Sequence, residues 1–461
     1  MDDAVLCRSS LAPPALSPYG RASTCPSPVN RMMAGFARDF RDAIDINLGV
    51  GYVNEKTIPI ALLRRAMDAV IADPVRYRQA FNYGGPEGSA NLIGAIGRFL
   101  TRSGRLDEQT LARKRLVIGP CGATSILDAL AEIFAPGIVV TSDPVYYVYA
   151  NALERKGFQL LAVPEDDEGI QMETLHRRLA ALGERLRRIA FFYVVTVNNP
   201  SCTILSEARR RELVELVCSL TARLGRRIPI FFDLAYELLI HDPDVGPRVS
   251  ALREDPLDLV YEIGTLSKVL APALRIGYLH GPPGLLMDAM VQKTSDTGFS
   301  APLFAQEMAA YLLDGHIGEQ LERVKAGYRD KAVAVRRAIE AVLGPYLESC
   351  RGGRAGFYFY LSFSRVETHT GSPFFRYLSR TTGDPAIDGP PEEVAPRVVY
   401  LPGEYCVHPR GELVEAGRRQ LRLSYGFEDT PALVRAIGLM AEAARFALAH
   451  QAPEQAPVHS R

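Results

Sequence analysis

Between residues 116 and 265 the chain repeats one unit: a short, strongly apolar run, a turn, then a longer stretch with helical spacing. Residues 116–118 read as a strand, followed by a glycine turn and a helix over 124–134. Further strands fall at 137–142, 189–196, 228–233 and 259–265, with a helix over 207–224 ahead of the fourth. These runs are apolar throughout instead of alternating with polar residues, so both faces of the sheet they form must be covered. Strand, helix, strand in this order argues for an α/β fold built on a mostly parallel sheet flanked by helices.

The last third follows another rhythm. A helical pattern spans 302–343. Strand-like segments follow at 356–363, 397–401 and 420–425, and a helix closes the series over 431–449. This reads as a smaller α+β domain packed on the large sheet, and 461 residues suffice for one large and one smaller unit. Residues 1–41, rich in Ser, Pro, Ala and Arg without sustained period, read as a mobile arm, and 451–461 as a disordered tail.

Lys+Arg and Asp+Glu both number 53, so no basic excess points to nucleic acid or an anionic membrane surface. No apolar run reaches membrane-spanning length, and the N-terminus lacks the basic-then-apolar order of a secretory signal. The seven cysteines are scattered and form no CxxC pair, which argues against a zinc site or disulfide framework, leaves no metal site expected, and fits a reducing, cytoplasmic compartment.

Five segments combine residue types that chemistry needs, most of them where an apolar strand ends, the edge at which open α/β sheets bind ligands. In Gly119-Pro120-Cys121-Gly122-Ala123-Thr124-Ser125, small residues open a helix, so the backbone of Ala123 and Thr124 offers N–H donors to an anion such as phosphate. The same residues also fit a plain strand–helix turn capped by Thr124 or Ser125. Asp233 directly follows an apolar strand, where a carboxylate is costly unless a cation, such as a protonated ring nitrogen, meets it; otherwise it caps the following turn. Tyr236 lies three residues on and offers a hydroxyl to the same ring. Thr265-Leu266-Ser267-Lys268 closes another strand, with Arg275 seven positions further: a shielded lysine among cations has a lowered pKa and condenses with carbonyls, and the arginine suits a phosphate dianion. An ordinary surface Ser-Lys pair is the alternative. Asn198-Asn199-Pro200-Ser201 is a turn or a seat for an amide facing the crevice. Arg422 sits between Leu421 and Leu423 and is either a carboxylate clamp or a structural ion-pair member.

Taken in order and spacing, these pieces resemble the fold-type I enzymes that use pyridoxal 5'-phosphate, specifically the class I/II aminotransferases, from about Ile46 to Ala447. Within that class the chain is similar to the 2-aminoadipate and kynurenine aminotransferases and to the aminotransferase-like domain of MocR-type regulators. The resemblance implies a large cofactor domain with a mostly parallel sheet of the seven-stranded type over 81–310, and a small domain from 46–80 and 311–450, behind an arm over 1–45. It implies that Lys268 carries the cofactor as a Schiff base, that Asp233 meets its ring nitrogen, and that Asn199 and Tyr236 bond its phenolic oxygen. Tyr146 would stack on the ring, and Ala123, Thr124, Ser267 and Arg275 would hold the phosphate. Tyr83, in Asn82-Tyr83-Gly84-Gly85, would reach the phosphate of a neighbouring subunit, which makes a homodimer with shared sites the expected assembly. Gly51, in the loop Asn47-Leu48-Gly49-Val50-Gly51, Asn199 and Arg422 would seat the substrate. Cys202 stands where the family's Asn-Pro-Ser/Thr motif continues with Gly, and Ala273 where a Gly is common.

The implied activity is transamination between an amino acid and a 2-oxo acid. Another reaction of the same cofactor, such as β-elimination, and a ligand-sensing regulator remain as alternatives. Against the regulator stand the short stretch ahead of the match and its lack of helical period or basic clustering.

Overall fold

The computed structural model describes residues 14–390 and 392–450. Fourteen strands occur among them: β1 (Ile46–Asn47), β2 (Arg115–Ile118), β3 (Ile138–Asp143), β4 (Gln159–Asp166), β5 (Gly169–Ile170), β6 (Ile189–Val195), β7 (Ile230–Asp233), β8 (Val260–Thr265), β9 (Gly277–Gly281), β10 (Leu347–Gly352), β11 (Tyr358–Phe363), β12 (Val398–Val399), β13 (Leu401–Pro402) and β14 (Gln420–Ser424). Eight form the main sheet in the order β2-β9-β8-β7-β6-β3-β4-β5. The five central strands β8, β7, β6, β3 and β4 run parallel; β9 is antiparallel to both its neighbours, and the two-residue β5 closes the far edge. The mostly parallel sheet covered on both faces is therefore present, with one short strand more than seven.

The reason the central runs are unbroken apolar sequence is visible in how neighbours divide. Phe191 and Phe231 join one core cluster with Val117, Ile126, Leu130 and Leu279, while Phe192 and Phe232 join the cluster on the opposite face. Successive side chains point to opposite faces of a strand, and here helices cover both. Chain order reverses between β6 and β3, so a crevice opens at the carboxyl ends of these strands. The helix Gly122–Ile133 covers one face. The helix Glu207–Leu224 starts at Ser206, whose hydroxyl accepts from Arg209 N–H, and stops at Gly225, whose φ of 66° needs glycine.

A second, antiparallel sheet has the order β10-β11-β14-β13, with the helices Ile317–Ala338 and Thr430–His450 packed against one another beside it. β1 pairs in parallel with β12, which ties the start of the described chain's ordered sheet to its C-terminal part.

Several expectations need correction. The helical pattern over 302–343 is two helices, Leu303–Gly315 and Ile317–Ala338, followed by a π-turn over Ile339–Leu343. Gly315 weakens the helix and His316 leaves helical geometry at φ −133°, ψ −7°. The strand expected at 397–401 splits into β12 and β13, which pair with different partners. β4, β9 and β10 were not expected. The stretch read as an arm without periodic structure carries helices at Pro18–Ala22 and Pro28–Ala37. Each begins with Ser-Pro: the Ser17 and Ser27 hydroxyls accept from the N–H of Gly20 and Asn30, and proline occupies the first turn. Residues 1–13 and the tail 451–461 lie outside the described residues.

Candidate active site

One cavity of about 100 Å³ opens at the carboxyl edge of the main sheet. Its lining includes Ala123, Thr124, Tyr146, Asn199, Asp233, Tyr236, Ser267, Lys268 and Arg275, together with Tyr193. Residues scattered over 150 positions meet there because each follows a strand. Thr124 follows β2, Tyr146 β3, Asn199 β6, Tyr236 β7 and Lys268 β8, while Asp233 is the last residue of β7 itself.

The cavity includes a cradle for an anion. The helix Gly122–Ile133 points its N-terminus into the cavity, with Gly122 at φ +67°. The Arg275 guanidinium reaches back to the Cys121 carbonyl at 3.1 Å, the Cys121 Sγ at 3.5 Å and the Pro272 carbonyl at 3.2 Å, and meets no carboxylate among the described residues. Gly277 lets β9 press against this turn: a Cβ there would lie 2.2 Å from Ala123 N and 2.4 Å from Gly122 C. Ser267 Oγ accepts from Thr265 Oγ1 at 3.1 Å.

The same cavity holds a buried acid. Asp233 is 5% exposed. Its Oδ1 accepts from Ala235 N–H at 3.0 Å and its Oδ2 from the Tyr193 hydroxyl at 2.7 Å. Burial raises its pKa; the Tyr193 hydroxyl, the Ala235 amide and the Lys268 charge pull the other way. Such a carboxylate suits a cationic ring nitrogen.

Lys268 lines the same cavity. Its Nζ donates to the Gly51 carbonyl at 3.1 Å and sits 5.5 Å from the Tyr236 ring centroid and 5.6 Å from that of Phe357. Burial first, then the charges of Arg422 and Arg275, lower its pKa to about 8, against the opposing pull of Asp233. A useful fraction of free amine therefore exists near neutral pH, the condition for attack on a carbonyl.

Arg422 and Gly51 do not line this cavity but adjoin it. Arg422, on β14, is 1% exposed and has no carboxylate partner among the described residues. Its guanidinium donates to Asn199 Oδ1 at 2.8 Å and the Gly49 carbonyl at 2.5 Å, and lies 4.3 Å above the Tyr358 ring, while its Nε has no partner. A buried cation met only by neutral groups is costly, and a carboxylate would relieve that cost. The loop before Gly51 is held by Asn47, whose Oδ1 accepts from the N–H of Gly49 and Val50.

Tyr83 is not brought to the cavity. It is 83% exposed and its ring packs 5.6 Å from that of Phe299. Two residues were missed by sequence reasoning. Tyr193 stood out only as a hydroxyl in an otherwise apolar strand. Tyr358 bonds the Tyr236 hydroxyl at 2.8 Å, and its own oxygen lies 2.6 Å from where a Cβ on Gly51 would be. Cys202, at the family's glycine position, is buried with φ +53°, the left-handed region that explains a glycine there.

The residues fit pyridoxal 5'-phosphate: anion cradle, amine and buried acid line one cavity, and this sheet with this site defines a fold-type I enzyme using that cofactor. The chain belongs to the aminotransferase class I and II family, whose model matches residues 43–381. Along its length it is similar to YisV of Bacillus subtilis, an uncharacterised HTH-type transcriptional regulator, at 24% identity over 87% of this chain and 74% of that one. It is also similar to aromatic-amino-acid aminotransferase 1 of Thermococcus litoralis, at 25% identity over 64% of this chain and 68% of that one. Among solved structures, the multiple substrate aminotransferase of Thermococcus profundus superposes with a TM-score of 0.79 at 20% identity, covering 95% of this chain and 98% of that one.

Proposed function

We propose that transamination in this aminotransferase runs on Lys268, Asp233 and Arg422, with an amino acid as donor and a 2-oxo acid as acceptor. The observation that carries the reading is the lysine: a buried amine, its pKa lowered to about 8, lining one cavity together with an anion cradle and a buried acid. Ala123 and Thr124 N–H groups, Ser267 and Arg275 would hold the phosphate. Asp233 would keep the ring nitrogen protonated. Tyr236 and Asn199 would bond the phenolic oxygen, and Tyr146 would pack on the ring. When bound, pyridoxal phosphate supplies an aldehyde that takes up the amino group and a ring that draws off the electron pair left at the substrate α-carbon. Arg422, supported by Asn199 and the Gly51 loop, grips the α-carboxylate. Lys268 Nζ, once released by the incoming amine, would take the α-proton as general base and return it on the cofactor side as general acid, water then releasing the 2-oxo acid. Retention of the carboxylate on Arg422 favours transamination over decarboxylation.

A homodimer is supported by a run of exposed apolar side chains: Val75, Phe81, Tyr83 and Phe299 are 85%, 75%, 83% and 58% exposed. Tyr83 within that patch would reach the partner's cofactor phosphate. Six cysteines among the described residues are free, which supports a reducing, cytoplasmic setting, and no helix among them is long and apolar enough to cross a membrane.

The likeness to HTH-type regulators supports a second reading, a pocket that binds cofactor and amino acid to report a ligand. Mixing the purified, cofactor-loaded protein with a panel of amino acids, then with pyruvate or 2-oxoglutarate, separates the two. Transamination bleaches the imine absorption and the oxo acid restores it with release of a new amino acid. A spectrum that shifts with no amino acid released contradicts the enzymatic reading.

A further inference from the structure

We infer that Tyr193 is a positioning residue for the reaction, its hydroxyl holding Asp233 in the ionised form and orientation that the cofactor's ring nitrogen requires; this rests on the proposed role of Asp233.

The register places the two groups. β6 and β7 run parallel with Val195 opposite Asp233 and Tyr193 opposite Phe231. Tyr193 is therefore two residues back from Asp233's partner and on the same face, the diagonal position that a long aromatic side chain spans. Its hydroxyl donates to Asp233 Oδ2 at 2.7 Å, and both groups line the cavity. Tyr193 is 1% exposed, so the bond is shielded from bulk solvent. The ring is fixed edge-on against Tyr149, centroids 4.8 Å apart at 71°. With Ala235 N–H on Oδ1, each carboxylate oxygen has one protein donor and a lone pair left for the cavity.

A carboxylate 5% exposed at the end of an apolar strand tends to protonate, and a neutral acid no longer fixes a proton on the ring. The groups facing Asp233 are the Tyr193 hydroxyl, the Ala235 amide, the Lys268 amine and the phenols of Tyr146 and Tyr149. Tyr146 and Tyr149 are pushed to higher pKa by burial and stay neutral. The Tyr193 hydroxyl is the main side-chain support of the anion, ahead of the Ala235 amide and the Lys268 charge. Losing that donor raises the pKa of Asp233, so the acid limb of the pH profile moves upward.

Tyr149 supplies a matched control: its hydroxyl is buried with no hydrogen-bond partner. The test compares Tyr193→Phe, Tyr149→Phe, Asp233→Asn and the double variant Tyr193→Phe/Asp233→Asn with wild type. Three readouts are taken: equilibrium binding of pyridoxal phosphate to apoprotein, the pH dependence of the bound cofactor's absorption, and kcat/KM against pH. Tyr193→Phe is expected to weaken cofactor binding about tenfold and to move the acid limb and the spectral transition to higher pH. Tyr149→Phe leaves all three unchanged, and Tyr193→Phe adds nothing once Asp233 is Asn. A Tyr193→Phe protein matching wild type while Asp233→Asn loses cofactor and activity overturns the inference alone. An Asp233→Asn protein matching wild type overturns the role of Asp233 and the inference with it.

Discussion

Lys268 has no carboxylate within ion-pair distance in the described chain, two arginines contribute to its field, and burial desolvates its ammonium. The lowered pKa is also a statement about stability. A lysine whose pKa is about 8 when folded and 10.5 when unfolded resists charging only in the fold. The apoprotein therefore carries a penalty at every pH below about 8, which fades as pH rises toward 10.5 and the unfolded chain also loses the proton. Lys268→Met is expected to raise apoprotein stability at pH 7 by up to roughly 3 kcal/mol, with the gap closing above pH 10. Denaturant melts at several pH values measure this, and a constant gap would contradict the desolvated amine. Arg422 makes a complementary prediction. Arg422→Lys keeps charge but loses the fork, so KM for the amino donor is expected to rise about tenfold or more with a smaller change in cofactor affinity.

At the scale of elements, the close approach of β9 to the turn before the helix Gly122–Ile133 shapes the anion cradle. A Cβ at Gly277 meets backbone atoms, which cannot rotate aside. Gly277→Ala is expected to cost on the order of 1–3 kcal/mol in stability and to weaken binding of the cofactor phosphate; calorimetry and titration of the apoprotein check both. The parallel strands β3, β6, β7 and β8 could be read from sequence because their runs are strongly apolar, and the helix Glu207–Leu224 because Ser206 and Gly225 cap it; β4, with Pro164, Glu165 and Asp166 at its end, could not. β9 could not, because Gly277-Tyr278-Leu279-His280-Gly281 offers two glycines and a histidine, and its antiparallel pairing to β2 and β8 is a tertiary fact. The Ser-Pro starts at Ser17 and Ser27 were readable in principle but lay hidden in a composition that resembles coil. Asp233 and Arg422 stood out as candidates because each places a charge against apolar neighbours, whereas Lys268, beside Ser267, stood out only through its order and spacing relative to the other segments. Tyr193 and Tyr358 did not, since a tyrosine in a strand is ordinary core until a register puts its oxygen beside a partner.

For the whole molecule, Val75, Phe81, Tyr83 and Phe299 are exposed apolar side chains outside the cavity lining, with the Phe81 ring stacked on Phe304 and the Tyr83 ring against Phe299. A homodimer that buries them predicts a mass near twice 50.7 kDa by sedimentation equilibrium. Phe81→Glu is expected to shift the protein toward monomer and to lower activity in parallel, whereas a fully active monomer would remove Tyr83 from any shared site. The most direct test of the central claim is chemical. Borohydride is added to the yellow, cofactor-loaded protein, followed by digestion and peptide mass spectrometry. A pyridoxyl-phosphate adduct on the peptide carrying Lys268, and on no other lysine, is the predicted result; an unmodified Lys268, or an adduct elsewhere, would contradict it.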